Sequence, residues 1–217
     1  MRGVAIGGML PGMRSVTSRF FLVAALSATC AKAGEVDESL RSTLLQMARD
    51  DQEAIRIVTA DPGRQPDALE SMQADEMTRR NHALIRKIVQ ERGWPGRSLV
   101  GDDGSAAAWL VVQHMDGDLE FQQKCLALMQ EAFPIGEVLP RNLAYLTDRV
   151  LTHQGKPQMY GTQGGGVTSA ADEARIDANR AALGLEPWRE AVEKRKKDYA
   201  NGYGAGTAAP VDEPPAR

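Results

Sequence analysis

The stretch Ser105-Ala106-Ala107-Ala108-Trp109-Leu110-Val111-Val112-Gln113-His114-Met115 decides the fold. It is apolar nearly all round instead of along one stripe, which marks a helix covered on every side by other elements. Asp116-Gly117-Asp118 ends it and starts the next helix, with Asp118 placed as an N-cap. A helix of this kind needs amphipathic partners, and the sequence on both sides supplies them.

Upstream, Leu40, Leu44, Met47, Ala48, Ile55 and Val58 recur at three- and four-residue steps from Val36 to about Val58. Asp61-Pro62-Gly63-Arg64-Gln65-Pro66 breaks that pattern. A second helix runs from about Asp67 to Arg92, with Leu69, Met72, Met77, Leu84, Ile85, Ile88 and Val89 as its apolar stripe. Gly93 stops it, Trp94-Pro95-Gly96 turns the chain, and Arg97 to Gly104 reads as a short loop or extended piece. Downstream, Phe121, Cys125, Leu128, Met129 and Ala132 mark a helix from about Leu119 to Phe133, broken by Pro134-Ile135-Gly136. Pro140 suits the first turn of a fifth helix that carries Leu143, Leu146, Val150 and Leu151 to about Gln154. A last helical pattern spans about Asp172 to Lys197, interrupted near Gly184-Leu185-Glu186-Pro187. The expected fold is all-α: a compact domain of about five to seven helices, with a short extended segment near residues 156–163.

The chain has 217 residues, 42% hydrophobic, 25% charged and 5% aromatic, which excludes collagen-like, coiled-coil and wholly disordered classes. Residues 1–33 hold Arg2, Arg14, Arg19 and Lys32 and no acid, then an apolar run from Phe20 to Ala28 and the small-x-small site Ala31-Lys32-Ala33. That order reads as a secretory signal peptide, with Met13 as an alternative start. The run is too short for a stable transmembrane helix. Lipidation at Cys30 is the rival reading, on a loose lipobox, Ser27-Ala28-Thr29-Cys30. The organisation expected is a signal peptide over 1–33, a helical domain over 34–200 and a disordered tail over 201–217. Removal of residues 1–33 takes away four of the 26 basic residues and none of the 29 acids, moving the net charge from −3 to −7. A chain so acidic is not expected to bind nucleic acid or anionic lipid non-specifically. It would keep one cysteine, Cys125, on an apolar helix pattern, where a buried structural thiol is the better reading.

No G-x-S-x-G, P-loop, H-E-x-x-H, C-x-x-C or dinucleotide fingerprint occurs. With three histidines and that single cysteine, no zinc site of N and S ligands and no cofactor are expected, while a carboxylate-rich Mg or Ca site stays open but has no spacing signature. His82 and His153 sit beside polar residues and are expected at the surface. His114 shares a helix face with Ala107, Leu110 and Val111, so it points inward. It is either a hydrogen-bonded core histidine or a general base. Tyr145 and Arg149 share a face four residues apart, with Asp148 beside them. They form a structural ion-pair region or a place where Arg149 holds a substrate carboxylate or phosphate. Gln158, Tyr160 and Thr162 alternate along the extended segment and would point to one side, followed by Gln163 and a glycine-rich loop. Such neutral groups suit a sugar, peptide or amide ligand, and equally a segment zipped to the helices by hydrogen bonds.

Together these residues carry a resemblance. Ala108-Trp109-Leu110, Gln113-His114, Asn142-Leu143-Ala144-Tyr145-Leu146-Thr147-Asp148-Arg149 and Gln158, Tyr160-Gly161-Thr162-Gln163 resemble a family of bacterial domains of unknown function. Its marks are an A-W-L-x-x-Q-H helix and a Q-x-Y-G-T-Q segment. The likeness covers about residues 40 to 190, with Asp51-Gln52 upstream, and implies no activity. The chain departs from it in being short and glycine-rich between Gln163 and Ile176.

Two functions are carried forward. One is an exported, hydrolase-like pocket for a small envelope-derived ligand. There His114, Asp148 and Arg149 are catalytic, and Gln113, Tyr145, Gln158, Tyr160, Thr162 and Gln163 bind the ligand. The other is a non-catalytic periplasmic interaction domain in which the same polar residues are struts.

Overall fold

A computed structural model describes residues 35–59, 63–164, 167 and 169–200. The expected signal peptide, the lipidation at Cys30, the expected disordered tail and most of the triple-glycine loop lie outside the described residues. The helices are α1 (Glu38–Thr59), α2 (Ala68–Arg92), α3 (Arg97–Gln113), α4 (Leu119–Ala132), α5 (Pro140–His153), α6 (Ala170–Ala182) and α7 (Trp188–Ala200). A single 3-10 turn, Phe133–Ile135, joins α4 to the α5 approach. The fold is all-α, and no strand occurs among the described residues.

The helix starts follow from side-chain chemistry. Asp67 accepts the Glu70 N–H at 2.9 Å while the Glu70 carboxylate accepts the Asp67 N–H at 2.8 Å, a capping box at the head of α2. Asp118 caps α4 through the Phe121 N–H at 3.0 Å, and Ser169 caps α6 through the Asp172 N–H at 3.1 Å.

The apolar-all-round helix is central. α3 touches α1, α2, α4 and α5, and Val100, Ala108, Trp109, Leu110, Val111 and Val112 are all buried. One core gathers Leu44 and Met47 from α1, Ile85, Ile88 and Val89 from α2, Cys125 and Met129 from α4, and Leu143, Leu146 and Val150 from α5 around it. The Trp109 and Tyr145 rings meet edge to face, centroids 6.1 Å apart.

Three expectations change. Residues 97–104 are helical, not extended: α3 begins behind Gly96 and runs through a single break at Gly101 (φ 75°, ψ 171°). Side-chain pairs hold that break. Arg97 grips Asp102 at 2.6 and 2.9 Å, and Arg41 of α1 grips Asp103 at 2.9 and 2.7 Å. Second, the outer parts of the stripes on α1 and α2 are exposed: Val58 is 46% exposed, Leu69 64% and Met72 68%. Third, the segment after α5, expected to be extended, forms no strand and bends at Met159-Tyr160 and at Gln163-Gly164. Its backbone groups pair with side chains.

α6 and α7 pack on each other, with little helix-to-helix contact to the rest. They meet it through Gly161, whose φ of +67° lies in the left-handed region. A Cβ there would stand 2.5 Å from Trp188 Cδ1. Gly161→Ala therefore combines the wrong backbone region with an overlap against a ring that cannot yield. We expect it to cost at least about 2 kcal/mol, seen as a thermal midpoint lower by roughly 4–8 °C.

Candidate functional site

The site residues are placed by α5 and by the segment it faces. Asp148 is wholly buried on α5. Its Oδ1 accepts the N–H groups of Met159 (2.7 Å) and Tyr160 (3.0 Å), and its Oδ2 accepts the Thr162 N–H (2.9 Å) and hydroxyl (3.0 Å). The carbonyls along the same segment are met from the other side. Arg175 donates to Gln158 O, Asn179 to Met159 O, Arg180 to Tyr160 O, Trp188 Nε1 to Gly161 O and Arg195 to Thr162 O, all between 2.9 and 3.2 Å. The Gln158 side chain closes the loop, accepting the Gln163 N–H at 2.9 Å and donating to Gly164 O at 2.8 Å. Buried backbone groups must find partners, and here side chains replace the missing strand.

This arrangement assigns several of the expected ligand groups. Gln158 and Thr162 are buried and their polar atoms are engaged within the loop. Tyr160 is half-buried, and burial together with the nearby Asp148 pushes its phenol above the usual range. Asp148 anchors the loop, and four donors occupy its oxygens, so it is not placed to exchange a proton with a ligand.

Arg149 does hold a carboxylate, but an internal one. Its Nε and Nη2 meet Asp116 at 2.7 and 2.9 Å, and Nη1 donates to Gln163 Oε1 at 3.4 Å. Gln163 in turn donates to Tyr145 O at 3.3 Å. Burial works against ionisation of Asp116, yet the Arg149 guanidinium outweighs it and holds the carboxyl below the usual carboxylate range.

His114 stands apart from this group. It caps the C-terminus of α3 (φ −88°, ψ 2°), its N–H bonded to Val111 O. Gln122 of α4 fixes that corner by donating to Val112 O and Gln113 O, both at 3.2 Å. The imidazole reaches α1, where Nδ1 lies 2.7 Å from Asp51 Oδ2. The two side chains are 17% and 11% exposed. Gln52 Nε2 also donates to Asp51, at 3.1 Å, and Gln113 Nε2 lies 3.5 Å from His114 Nε2. His82, expected at the surface, is half-buried and within electrostatic reach of Asp51 and His114. Burial and Arg86 hold its pKa below the usual histidine value. His153 does lie at the surface, 3.7 Å from Asp116.

The expected residues thus fall into two sets: Gln113 with His114, and Asp148, Gln158, Tyr160 and Thr162 joined through Gln163 to Arg149 and Tyr145. Neither of two cavities gathers them all. A groove of about 670 Å³ between α1 and α2 is lined by Ser42, Gln46, Asp50, Arg80 and Asn81, and a cavity of about 150 Å³ includes Tyr145 and Thr162. His114 lines neither. Among the described residues no three of His, Cys, Asp and Glu are grouped to hold a metal ion. Burial pushes the Cys125 thiol up to about 12, which leaves it almost wholly protonated at neutral pH and a poor nucleophile. Asp51 is the partner that sequence reading missed. It is one acid among many on α1, and only the Asp51-Gln52 pair within the family resemblance pointed to it.

Residues 38–203 match a family of unknown function, DUF6624, and the chain belongs to it. No curated protein and no solved structure matches the chain.

Two outcomes follow for the struts. Asp148→Asn turns an amide N–H₂ toward backbone donors, and should cost roughly 2–4 kcal/mol. Equilibrium unfolding reads this, and proteolysis should then cut within 156–164. Asp116, with its lowered pKa, stabilises the fold above the ordinary carboxylate pKa of about 4. That contribution is lost as pH falls through the lower, folded value. The midpoint of Asp116→Asn should therefore lie below the parent at pH 7, and the gap should close in thermal scans taken toward pH 2.5.

Proposed function

We propose that this domain is an exported, hydrolase-like acid–base protein whose reacting group is the His114 imidazole. The observation that carries the reading is the 2.7 Å contact between His114 Nδ1 and Asp51 Oδ2, made between residues 63 positions apart. A carboxylate on Nδ1 assigns the proton of the neutral ring to that nitrogen and leaves the Nε2 lone pair as the base. Asp51 also offsets the charge of the imidazolium formed when Nε2 takes a proton. In a hydrolysis, a water would give its proton to Nε2 while its oxygen attacks the ligand. Nε2 would then return the proton to the leaving group. Arg149 and Asp148 act in this reading as positioning residues, holding the segment from Gln158 to Gln163 against α5. The ligand class, small and envelope-derived, rests on the export signal read over residues 1–33.

A second reading has its own support. Val58, Leu69 and Met72 are exposed around the α1–α2 connection, and apolar side chains left in water favour a protein partner. In that reading Asp51 and His114 are a strut.

Diethyl pyrocarbonate mapping and p-nitrophenyl acetate hydrolysis by the full chain separate the two. The acid–base reading expects His114 to be carbethoxylated in the native protein. It also expects the hydrolysis rate to fall about 100-fold in His114→Ala, with Asp51→Asn slowed as well. A folded His114→Ala that hydrolyses the ester as fast as the parent would overturn it and leave the interaction reading in place.

A further inference from the structure

The cavity of about 150 Å³ lies between α5, the α6–α7 connection and α7, and its lining is rich in cations. Arg141, Arg180, Lys194 and Arg195 line it, against two carboxylates, Glu186 and Asp198. Four cations thus stand against two carboxylates here, in a chain whose net charge is −3.

The arginines elsewhere show why this is unusual. Arg41, Arg56, Arg80, Arg97, Arg149 and Arg189 each hold a carboxylate. Among the described residues Arg49, Arg141 and Arg195 have no carboxylate partner, and the last two line this one cavity. Arg180 is neutralised by Glu186 at 3.4 Å and donates to backbone carbonyls, so it is a strut. Arg195 spends only Nη1, on Thr162 O. Arg141 is held over the Tyr145 ring at 5.4 Å, which orients the guanidinium and leaves its N–H donors without a hydrogen bond among the described residues.

We propose that this cavity binds a small oxyanion, a phosphate or carboxylate group, gripped by Arg141 and Arg195 with Lys194 beside them. Guanidinium forks match such oxygens two at a time. A lining in which cations outnumber carboxylates favours an anion. The size admits a small anionic group and not a ligand of drug size. The site shares no residue with the Asp51–His114 pair, so each proposal stands or falls alone.

The test is thermal unfolding of the full chain in sodium phosphate and in sodium succinate, each against sodium chloride of equal ionic strength. Binding to the folded state raises the midpoint, here by about 3 °C with at least one of the two anions. The anion that works tells a phosphate site from a carboxylate site. The rise should survive in Arg49→Gln, a control on α1, and disappear in Arg141→Gln, whose side chain makes no hydrogen bond that the fold needs. Lys194→Gln, which should reduce it, gives a second arm. No rise beyond chloride, or an equal rise in Arg141→Gln, overturns the proposal.

Discussion

A buried carboxylate has to be answered by donors, and the loop after α5 is built to answer one. Asp148 offers two oxygens in a place that water does not reach, and four donors from Met159, Tyr160 and Thr162 converge on them. Burying that charge without them would be strongly unfavourable. Once they are in place, the path of the segment is set, and with it the carbonyls it turns outward. Those carbonyls are what α6 and α7 hold, through Arg175, Asn179, Arg180, Trp188 and Arg195. The Arg195 strut and the anion cavity are therefore downstream of one side chain on α5.

The helices were legible because their signals are local. The stops at Gly93 and Pro134, the cap at Asp118 and the dense apolar run of α3 each act within a few residues. The failures share a cause too. Whether Leu69 and Met72 are covered depends on what packs against them, and periodicity does not carry that. Residues 97–104 read as a short loop or extended piece, since a glycine with positive φ inside a helix, as at Gly101, is held by long-range pairs such as Arg41 with Asp103. At the candidate site, the residue types were readable and the pairings were not. His114 was read as inward-facing, but Asp51 lies 63 residues away. Arg149 reads either as part of a structural ion pair or as an anion holder, and the anion it holds is Asp116.

The polar residues of the motifs divide between two kinds of work. Asp148, Gln158, Thr162 and Gln163 spend their hydrogen bonds on one another and on backbone. The Arg141–Arg195 cavity keeps unspent guanidinium donors, and His114 Nε2 meets only the long 3.5 Å contact with Gln113 Nε2. Satisfied networks rigidify, and unspent groups are where a ligand can gain binding energy. In the readings proposed here, the first set is the frame that keeps the second in position.

The docking of α6 and α7 through a loop instead of a helix face bears on how the chain folds. The buried side chains of the main core come from residues 44–150, and Leu183 behind α6 packs against them. Ile176 and Trp188 of the C-terminal pair meet at Gly161, and the pair's side-chain donors find their carbonyls only when the loop is wrapped. Few helix-to-helix contacts hold this pair to the rest, so we expect it to open as a unit before the main core does.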